Sequence, residues 1–201
     1  MDRISAIAAG VVVALGLGAG GYLWVTNSAP GSCDGSGGRV AGEALIGGPF
    51  ELTDHTGQRV TDEDIITEPS LVYFGYTFCP DVCPFDVSRN ADAIDALALR
   101  GISATPVFVT IDPARDDVEQ LSWYVEAMHP KMIGLTGTDE EIKAAADQYR
   151  AYYAKNGEGE YYLVDHSTLT YLMDDTGFVG FFRRNLSAED IADQVACLTD
   201  L

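Results

Sequence analysis

Basic residues are scarce in this sequence. Its 201 residues include 12 Lys and Arg against 31 Asp and Glu, which sets the formal net charge at −19. Proteins that bind nucleic acid need a positively charged face for the phosphates, so we expect no nucleic-acid partner. We interpret the excess of carboxylates as a solvated acidic surface that keeps the protein soluble. Electrostatic steering toward a basic partner is the alternative.

Charge is absent from one stretch near the N-terminus. Residues 4–25 contain no charged residue and are mostly Ala, Val, Leu, Ile and Gly. A helix of about 20 apolar residues crosses a bilayer, which predicts a membrane anchor over residues 1–27. A cleaved signal peptide is the alternative, but its apolar core is usually shorter. Arg3 precedes the run and no basic residue follows it before Arg39, so the positive-inside rule favours an exported domain.

Apolar periodicity is also missing from residues 28–46, which are rich in Gly and Ser. We interpret this segment as a flexible tether and expect one folded domain over residues 47–201. Helices separate most of its predicted strands, which favours parallel pairing, and a turn at residues 174–177 joins the last two strands as an antiparallel hairpin. Strands are predicted within residues 50–60 and at 71–76, 107–111, 132–135, 161–164, 168–173 and 178–183. Helices are predicted at 84–99, at 116–128, from 138 and at 187–198. The last two helices begin with capping-box patterns.

Cysteine is limited to four positions, and two of them lie close together. Cys79 and Cys83 follow the predicted strand at 71–76 and precede a helix, whose N-terminus lowers the pKa of a nearby thiol. A dithiol at this junction, in a mixed sheet flanked by helices, is the thioredoxin-like arrangement. The spacing permits a disulfide, and its three intervening residues also leave room for an ion between sulfurs that suit Cu(I). The pair is therefore a redox couple or part of a metal site.

Histidine occurs only three times. His55 falls in a predicted turn and is expected at the surface. His129 ends a predicted helix, where a structural or capping role is the simpler interpretation. His166 lies between two predicted strands, and in a thioredoxin-like fold the loop that enters the terminal hairpin faces the dithiol. We therefore predict that His166 is the third metal ligand.

Proline is absent after Pro130. Thioredoxin-type oxidoreductases place a cis-proline opposite their dithiol, whereas this sequence has His166 in that neighbourhood. The absence argues against a general disulfide oxidoreductase and favours a metal site. The sequence also contains no constellation of residues that supports a thioredoxin-like peroxidase.

The two other cysteines have simpler interpretations. Cys33 lies in the predicted tether, and Cys197 lies in the closing helix, where we expect a small buried apolar residue. A Cys33–Cys197 disulfide is the less favoured alternative. An exported compartment permits such a bond, but the tether offers no geometric support for it.

Several stretches resemble the Sco/SenC family of copper-binding proteins. The most specific are the string Gly-Tyr-Thr-Phe-Cys-Pro-Asp-Val-Cys-Pro at 75–84 and the downstream Asp-His-Ser at 165–167. Together the matching stretches cover nearly all of the predicted domain. The others lie at residues 48–54, 109–116 and 133–137.

The resemblance implies a membrane-anchored, thioredoxin-like protein on the bacterial inner membrane, with its domain facing the periplasm. It implies copper binding by Cys79, Cys83 and His166, and delivery of copper to the CuA site of cytochrome c oxidase subunit II. A periplasmic copper donor is a further expected partner. Such a protein is a metallochaperone rather than an enzyme. The alternatives are a thiol-disulfide reductase that keeps the subunit II cysteines reduced through the redox-active pair Cys79 and Cys83, and a redox sensor.

Four residues match a further motif of the same family: Asp112, Pro113, Arg115 and Asp116. We expect them to shape the loop beside the site or to support the ligands from behind. Asp165 has two interpretations. It can orient the neighbouring histidine in the same way, but an Asp beside a turn is more often a local cap.

Overall fold

The computed structural model describes residues 46–199 of the chain. The predicted membrane anchor at 1–27, Cys33 and all but the last residue of the predicted tether at 28–46 lie outside these residues. Between residues 46 and 199, no helix has the length and apolar character that crossing a membrane requires.

The described residues form nine strands and five helices. In chain order they are β1 (Glu51–Asp54), β2 (Arg59–Thr61), α1 (Asp62–Ile65), β3 (Ser70–Gly75), α2 (Val82–Leu99), β4 (Thr105–Thr110), α3 (Val118–Met128), β5 (Ile133–Thr136), α4 (Asp139–Gln148), β6 (Tyr153–Asn156), β7 (Leu163–His166), β8 (Thr170–Asp174), β9 (Gly177–Phe182) and α5 (Ala188–Leu198).

Seven strands form one central sheet in the order β2-β1-β5-β4-β3-β8-β9, and β6 and β7 form a separate pair. The strands β3, β4 and β5 are parallel to one another because α2 and α3 return the chain between them. The outer strands β1, β2, β8 and β9 are antiparallel to their neighbours. The predicted thioredoxin-like arrangement, a mixed sheet flanked by helices, is confirmed.

The central strand β3 determines where the functional end of the domain lies. All six of its residues are buried, as expected for a continuous apolar run in the middle of a sheet. Tyr73 packs toward α2, where its hydroxyl donates to Asp86 at 3.1 Å. Phe74 points to the opposite face, where its ring centroid lies 5.2 Å from that of Tyr149, directly after α4. Helices therefore cover both faces, and the chain leaves β3 enclosed by core.

The helix after β3 begins earlier than predicted. It begins at Val82 rather than at residue 84, so Cys83 lies in its first turn. The capping boxes predicted at the starts of α4 and α5 are both confirmed. The early start of α2 matters for the site, because it brings the second thiol onto the rigid part of the helix.

The sequence pattern did not predict β6. Its residues are half-exposed or exposed and show no apolar alternation, so only the pairing with β7 reveals the strand. In that pairing the Cα of Tyr153 lies opposite that of His166. His166 is consequently the last residue of a strand and not part of a loop.

Cys197 corrects another expectation. It is half-buried near the end of α5 and is disulfide-bonded, so its interpretation as a free buried residue is wrong. Cys33, its partner in the less favoured alternative, lies outside the described residues.

Candidate metal centre

Three predicted ligands meet at the end of β3. The sulfurs of Cys79 and Cys83 and a ring nitrogen of His166 all lie within 4.8 Å of one another, and the Cys83 Sγ is 3.3 Å from the His166 Nε2. Both cysteines are buried free thiols. Within residues 46–199, no other group of three or more His, Cys, Asp or Glu side chains is arranged so that it could hold a metal ion.

The other two histidines lie elsewhere. His129 is buried after α3, where its Nδ1 accepts a hydrogen bond from the Lys131 N–H at 3.1 Å. The Nδ1 of His55 accepts from the Gly134 N–H at 3.2 Å, and its side chain is half-buried. His129 therefore has the structural role predicted for it, and His55 is more enclosed than a turn residue suggested.

The position of Cys83 depends on a glycine at the end of β3. A Cβ atom at Gly75 would lie 3.0 Å from the Cys83 Sγ and 2.9 Å from the Tyr73 Cε1. Real Cβ atoms avoid such separations because the interior is close-packed. Gly75 thus permits the thiol on α2 to rest directly against the central strand.

A buried carboxylate holds the loop that leads to Cys79. Asp116, which is fully buried, accepts hydrogen bonds from the Thr77 hydroxyl at 2.6 Å and the Thr77 N–H at 2.9 Å. The hydroxyl of Thr110, at the end of β4, donates to the same carboxylate at 2.7 Å. Asp116 therefore links the ends of two parallel strands, and the loop-shaping role expected from the motif is observed. Burial raises the pKa of Asp116, because the charged form loses its hydration.

The two thiols differ in acidity. Burial opposes the thiolate of Cys79, but hydrogen bonds from the N–H groups of Cys83, Asp81 and Val82 act in the other direction and hold the pKa of Cys79 below its ordinary value. Burial dominates at Cys83 and raises the pKa of its thiol, although the Tyr76 N–H offsets part of the effect. A metal that binds both sulfurs requires both thiols to lose their protons.

The ring of His166 is held with one nitrogen free for a ligand bond. Its Nδ1–H donates to the Ser167 carbonyl at 2.8 Å, which leaves the Nε2 lone pair facing Cys83. Burial lowers the pKa of His166, so the neutral ring that a metal requires is favoured. The rings of Tyr73 and Tyr76 meet the imidazole edge-on at centroid distances of 6.2 and 5.9 Å. Apolar walls thus restrict the imidazole on two sides.

Asp165 does not orient the histidine, which was one of its two interpretations. Successive side chains of a strand point to opposite sides, so Asp165 is exposed while His166 faces inward. The Asp165 carboxylate accepts a hydrogen bond from the Asn156 Nδ2 at 3.0 Å on the neighbouring strand. The Ser167 carbonyl, a backbone group that no sequence motif marks, orients the ring.

A group of side chains holds the hairpin formed by β6 and β7, which we call the histidine hairpin. Tyr162 donates its hydroxyl proton to Asp112 at 2.5 Å, and its carbonyl accepts from the Arg115 Nη1 at 3.0 Å. Arg115 also pairs with Asp112 and lies 3.7 Å from the centroid of the Tyr162 ring. The Lys155 Nζ lies 3.7 Å from the same centroid. We call this group the Tyr162 clasp; the motif predicted Asp112 and Arg115, but spacing gave no sign of Tyr162 or Lys155.

A buried charge cluster supports the site from behind. Asp86 on α2 accepts from the Tyr73 hydroxyl at 3.1 Å and from the Arg184 Nε at 3.1 Å, and Arg89 lies 3.6 Å away. A buried carboxylate requires such partners, because the loss of its hydration is otherwise uncompensated. The cluster fixes Tyr73, whose ring contacts His166. Sequence reasoning missed Asp86, because an acidic residue on a helix is usually solvated.

Comparison with known sequences points to one family. The model of the SCO1/SenC family matches residues 39–200. Protein SenC of Rhodobacter capsulatus is 54% identical over 165 residues, which are 81% of this chain and 75% of that protein. The mitochondrial SCO1 homolog of Homo sapiens is 43% identical over 164 residues, 79% of this chain and 54% of that protein. The chain thus spans three quarters of the bacterial relative's length and about half of the human one's.

Solved structures with copper bound share the fold. The crystal structure of Arabidopsis thaliana ScoI with copper bound superposes with a TM-score of 0.74 at 44% identity, over 77% of this chain and 98% of that one. Yeast Sco1 with copper bound gives a TM-score of 0.71 at 38% identity, over 75% of this chain and 86% of that one.

Proposed function

Because the chain belongs to the SCO1/SenC family, we propose that it binds copper and serves in the assembly of cytochrome c oxidase. The observation that carries the proposal is the convergence of Cys79, Cys83 and His166 within 4.8 Å. Two thiolates and an imidazole form a soft donor set that suits copper. Copper-bound relatives of the same fold, at 44% and 38% identity, support this choice of metal.

The finer proposal is a metallochaperone that delivers copper to the CuA site of oxidase subunit II. Three protein ligands leave an ion open to attack by a further donor, so cargo can pass from one set of soft ligands to another. The ion is then a transferred cargo and not a catalytic cofactor. A periplasmic copper donor loads the protein in this scheme.

The proposed location follows from the N-terminal sequence. Residues 1–27 anchor the chain in the bacterial inner membrane, residues 28–46 act as a tether, and residues 47–201 form the domain in the periplasm. The uncharged run at 4–25 supports the anchor. Carbonate extraction of membranes and protease protection in spheroplasts test both the anchor and its orientation.

The decisive experiment replaces the histidine. We expect the full-length chain to bind about one copper ion, with sulfur and nitrogen in its X-ray absorption spectrum. His166→Ala should lose tight binding and oxidase assembly, because two sulfurs alone remain. His55→Ala, outside the site, is the matched control and should keep both. A wild-type spectrum that shows sulfur ligands only would contradict the assignment of His166 as a copper ligand.

The second candidate function is a reductase for the cysteines of subunit II. The free dithiol favours it, because the lowered pKa of Cys79 suits a thiol that attacks a disulfide. If His166→Ala abolishes oxidase assembly while dithiol exchange persists, the reductase is rejected. A redox sensor differs from both, since it needs oxidation of the pair without stoichiometric copper transfer.

A further inference from the structure

Large apolar side chains on the surface are concentrated at the end of the domain that carries the candidate metal centre. Seven such residues are exposed within residues 46–199, and one of them, Leu99, lies at the far end of α2. The other six lie in or beside the segments that carry the ligands or support them. They are Phe78, Phe85, Trp123, Tyr152, Tyr161 and Leu163.

Four of these side chains are grouped around Arg115, two through contacts and two as chain neighbours of the Tyr162 ring that stacks on it. The guanidinium of Arg115 lies 5.2 Å from the ring centroid of Phe78, next to Cys79 in the chain. Arg115 and Trp123 line the same open groove of about 380 Å³. On its other side Arg115 stacks against Tyr162, whose chain neighbours Tyr161 and Leu163 are both exposed. We call this surface, from Trp123 through Phe78 to Leu163, the aromatic rim.

The aromatic rim gathers several large exposed apolar side chains in one region, beside the segments that carry the ligands. Exposed aromatic side chains are enriched in protein interfaces, and contiguous apolar patches on soluble domains usually mark interaction sites. The exposed Tyr152 lies beside the histidine in the chain fold, because its carbonyl accepts from the Ser167 N–H at 2.9 Å. The rim therefore borders both the cysteine loop and the histidine hairpin.

The charge around the rim is acidic. Six exposed carboxylates lie in the same segments, and none of them forms an ion pair among the residues that the structure describes. The nearby guanidinium groups of Arg115 and Arg184 are paired with Asp112 and Asp86. Three exposed cations in or beside these segments, Arg150, Lys155 and Arg183, form no ion pair among the described residues, so the unpaired carboxylates outnumber the unpaired cations. The six are Asp81, Asp117, Glu119, Glu158, Glu160 and Asp165.

Copper transfer requires that the acceptor protein contact the surface around the candidate metal centre. Both ligand sulfurs are buried, so an acceptor's donor atoms can reach the ion only if the acceptor covers the surrounding surface. We propose that the aromatic rim is the docking surface for a copper-exchanging protein whose contact face has an apolar centre and a basic border. This rests on the proposed function, under which the partner is the copper-binding domain of oxidase subunit II.

The first test removes the exposed aromatic groups without touching the ligands. Full-length chain loaded with Cu(I) is mixed with the purified, metal-free copper-binding domain of subunit II, and Kd and the transfer rate are measured. Trp123→Ser combined with Tyr161→Ser should weaken binding and slow transfer at least about tenfold. Leu99→Ser is the matched control, because Leu99 is 91% exposed against 71% for Trp123 and 90% for Tyr161. Removal of copper by a small chelator should be equal in all three proteins.

The second test addresses the acidic border. Association of the wild type should slow as salt rises, because screening weakens the attraction between opposite charges. Glu158→Gln combined with Glu160→Gln should reduce this dependence on salt. Glu63→Gln combined with Asp175→Asn removes the same charge from the opposite end of the domain and should leave the dependence unchanged.

The outcomes separate the docking surface from the proposed function. If the wild type does not bind the subunit II domain, or if the rim variant binds and transfers like the Leu99 control, the docking surface is refuted. Transfer that is equal in all variants leaves copper delivery intact. A third outcome is that the wild type binds but transfers no copper, and that the rim variant no longer binds. This outcome supports the docking surface and refutes copper delivery.

Discussion

The two parts of the candidate metal centre are held in different ways. Cys79 and Cys83 follow the most buried strand of the central sheet, and Cys83 rests in the first turn of α2 against Gly75. His166 lies on the histidine hairpin, whose two strands pair only with each other. That hairpin is attached through the Tyr162 clasp and a hydrogen bond from the Val164 N–H to the Tyr76 hydroxyl at 3.3 Å. The cysteines therefore lie on the central sheet and α2 themselves, whereas the histidine reaches the core only through side-chain contacts of its hairpin, among them the buried Val164.

This difference gives the two ligand types distinct sensitivities. A change near the cysteines disturbs core packing and metal binding together, because the same atoms serve both. A change in the clasp can loosen the third ligand while the domain stays folded. Local opening is expected where few contacts tie a segment to the core.

The largest effect on copper is expected from the buried thiol. Cys83→Ser replaces a soft ligand by a hydroxyl and should lower copper affinity by more than about a hundredfold, beyond the loss typical of a supporting residue. Competition with a Cu(I) chelator measures it. Ser122→Cys, outside the site, controls for the number of thiols and should not raise copper stoichiometry. Retention of wild-type affinity by Cys83→Ser would contradict the assignment.

Gly75→Ala should affect fold and site together. Its Cβ would lie 2.9 Å from the Tyr73 Cε1 and 3.1 Å from the Phe108 Cε2, besides the close approach to Cys83. Overpacking of this kind costs about 1–3 kcal/mol, which urea unfolding detects. Gly159→Ala, which meets nothing within 4 Å at a φ of +78°, is the comparison for backbone strain alone. If only Gly75→Ala loses copper, the close contacts of its new Cβ, and not backbone strain, are the cause.

The Tyr162 clasp should act on copper more than on folding. Tyr162→Phe removes the hydroxyl that donates to Asp112 and should weaken copper binding by about 10–100-fold, the range for residues that orient ligands. The unfolding free energy should fall by only about 0.5–1.5 kcal/mol. Burial and the Asp112 carboxylate raise the pKa of Tyr162 to about 12, so the hydroxyl keeps its proton at neutral pH. Tyr153→Phe, on the same hairpin, is the control. Equal copper affinity in both variants would show that the Tyr162 hydroxyl does not help to hold the histidine.

The smallest effect is expected at Lys155. Its ammonium lies 3.7 Å from the centroid of the Tyr162 ring at an exposed position, where such contacts contribute about 0.5–1 kcal/mol. A free energy of this size corresponds to a change of less than about fivefold in an equilibrium constant. Lys155→Met should therefore change copper affinity by less than about fivefold. Lys155→Arg, which keeps the cation over the ring, should restore the wild-type value. A loss as large as that of Tyr162→Phe would show that the clasp is held by charge rather than by hydrogen bonds.

Local sequence patterns were sufficient for most elements of the fold. The apolar run at β3 and the capping boxes of α4 and α5 predicted their elements correctly, because burial and backbone capping leave marks in neighbouring residues. The strand β6 left no such mark. Its residues are polar or half-exposed, and only pairing across the hairpin makes them a strand.

The sequence by itself determined the chemistry of the candidate site: two cysteines at a strand-to-helix junction, and His166 in the neighbourhood where thioredoxin-type oxidoreductases have a proline. Only the tertiary structure decided how these ligands are held. The Ser167 carbonyl rather than Asp165 orients the imidazole. Tyr162 and Asp86 support the site from segments distant in the chain. Ligand type is a property of single residues, whereas orientation, burial and docking depend on contacts between segments that only folding brings together.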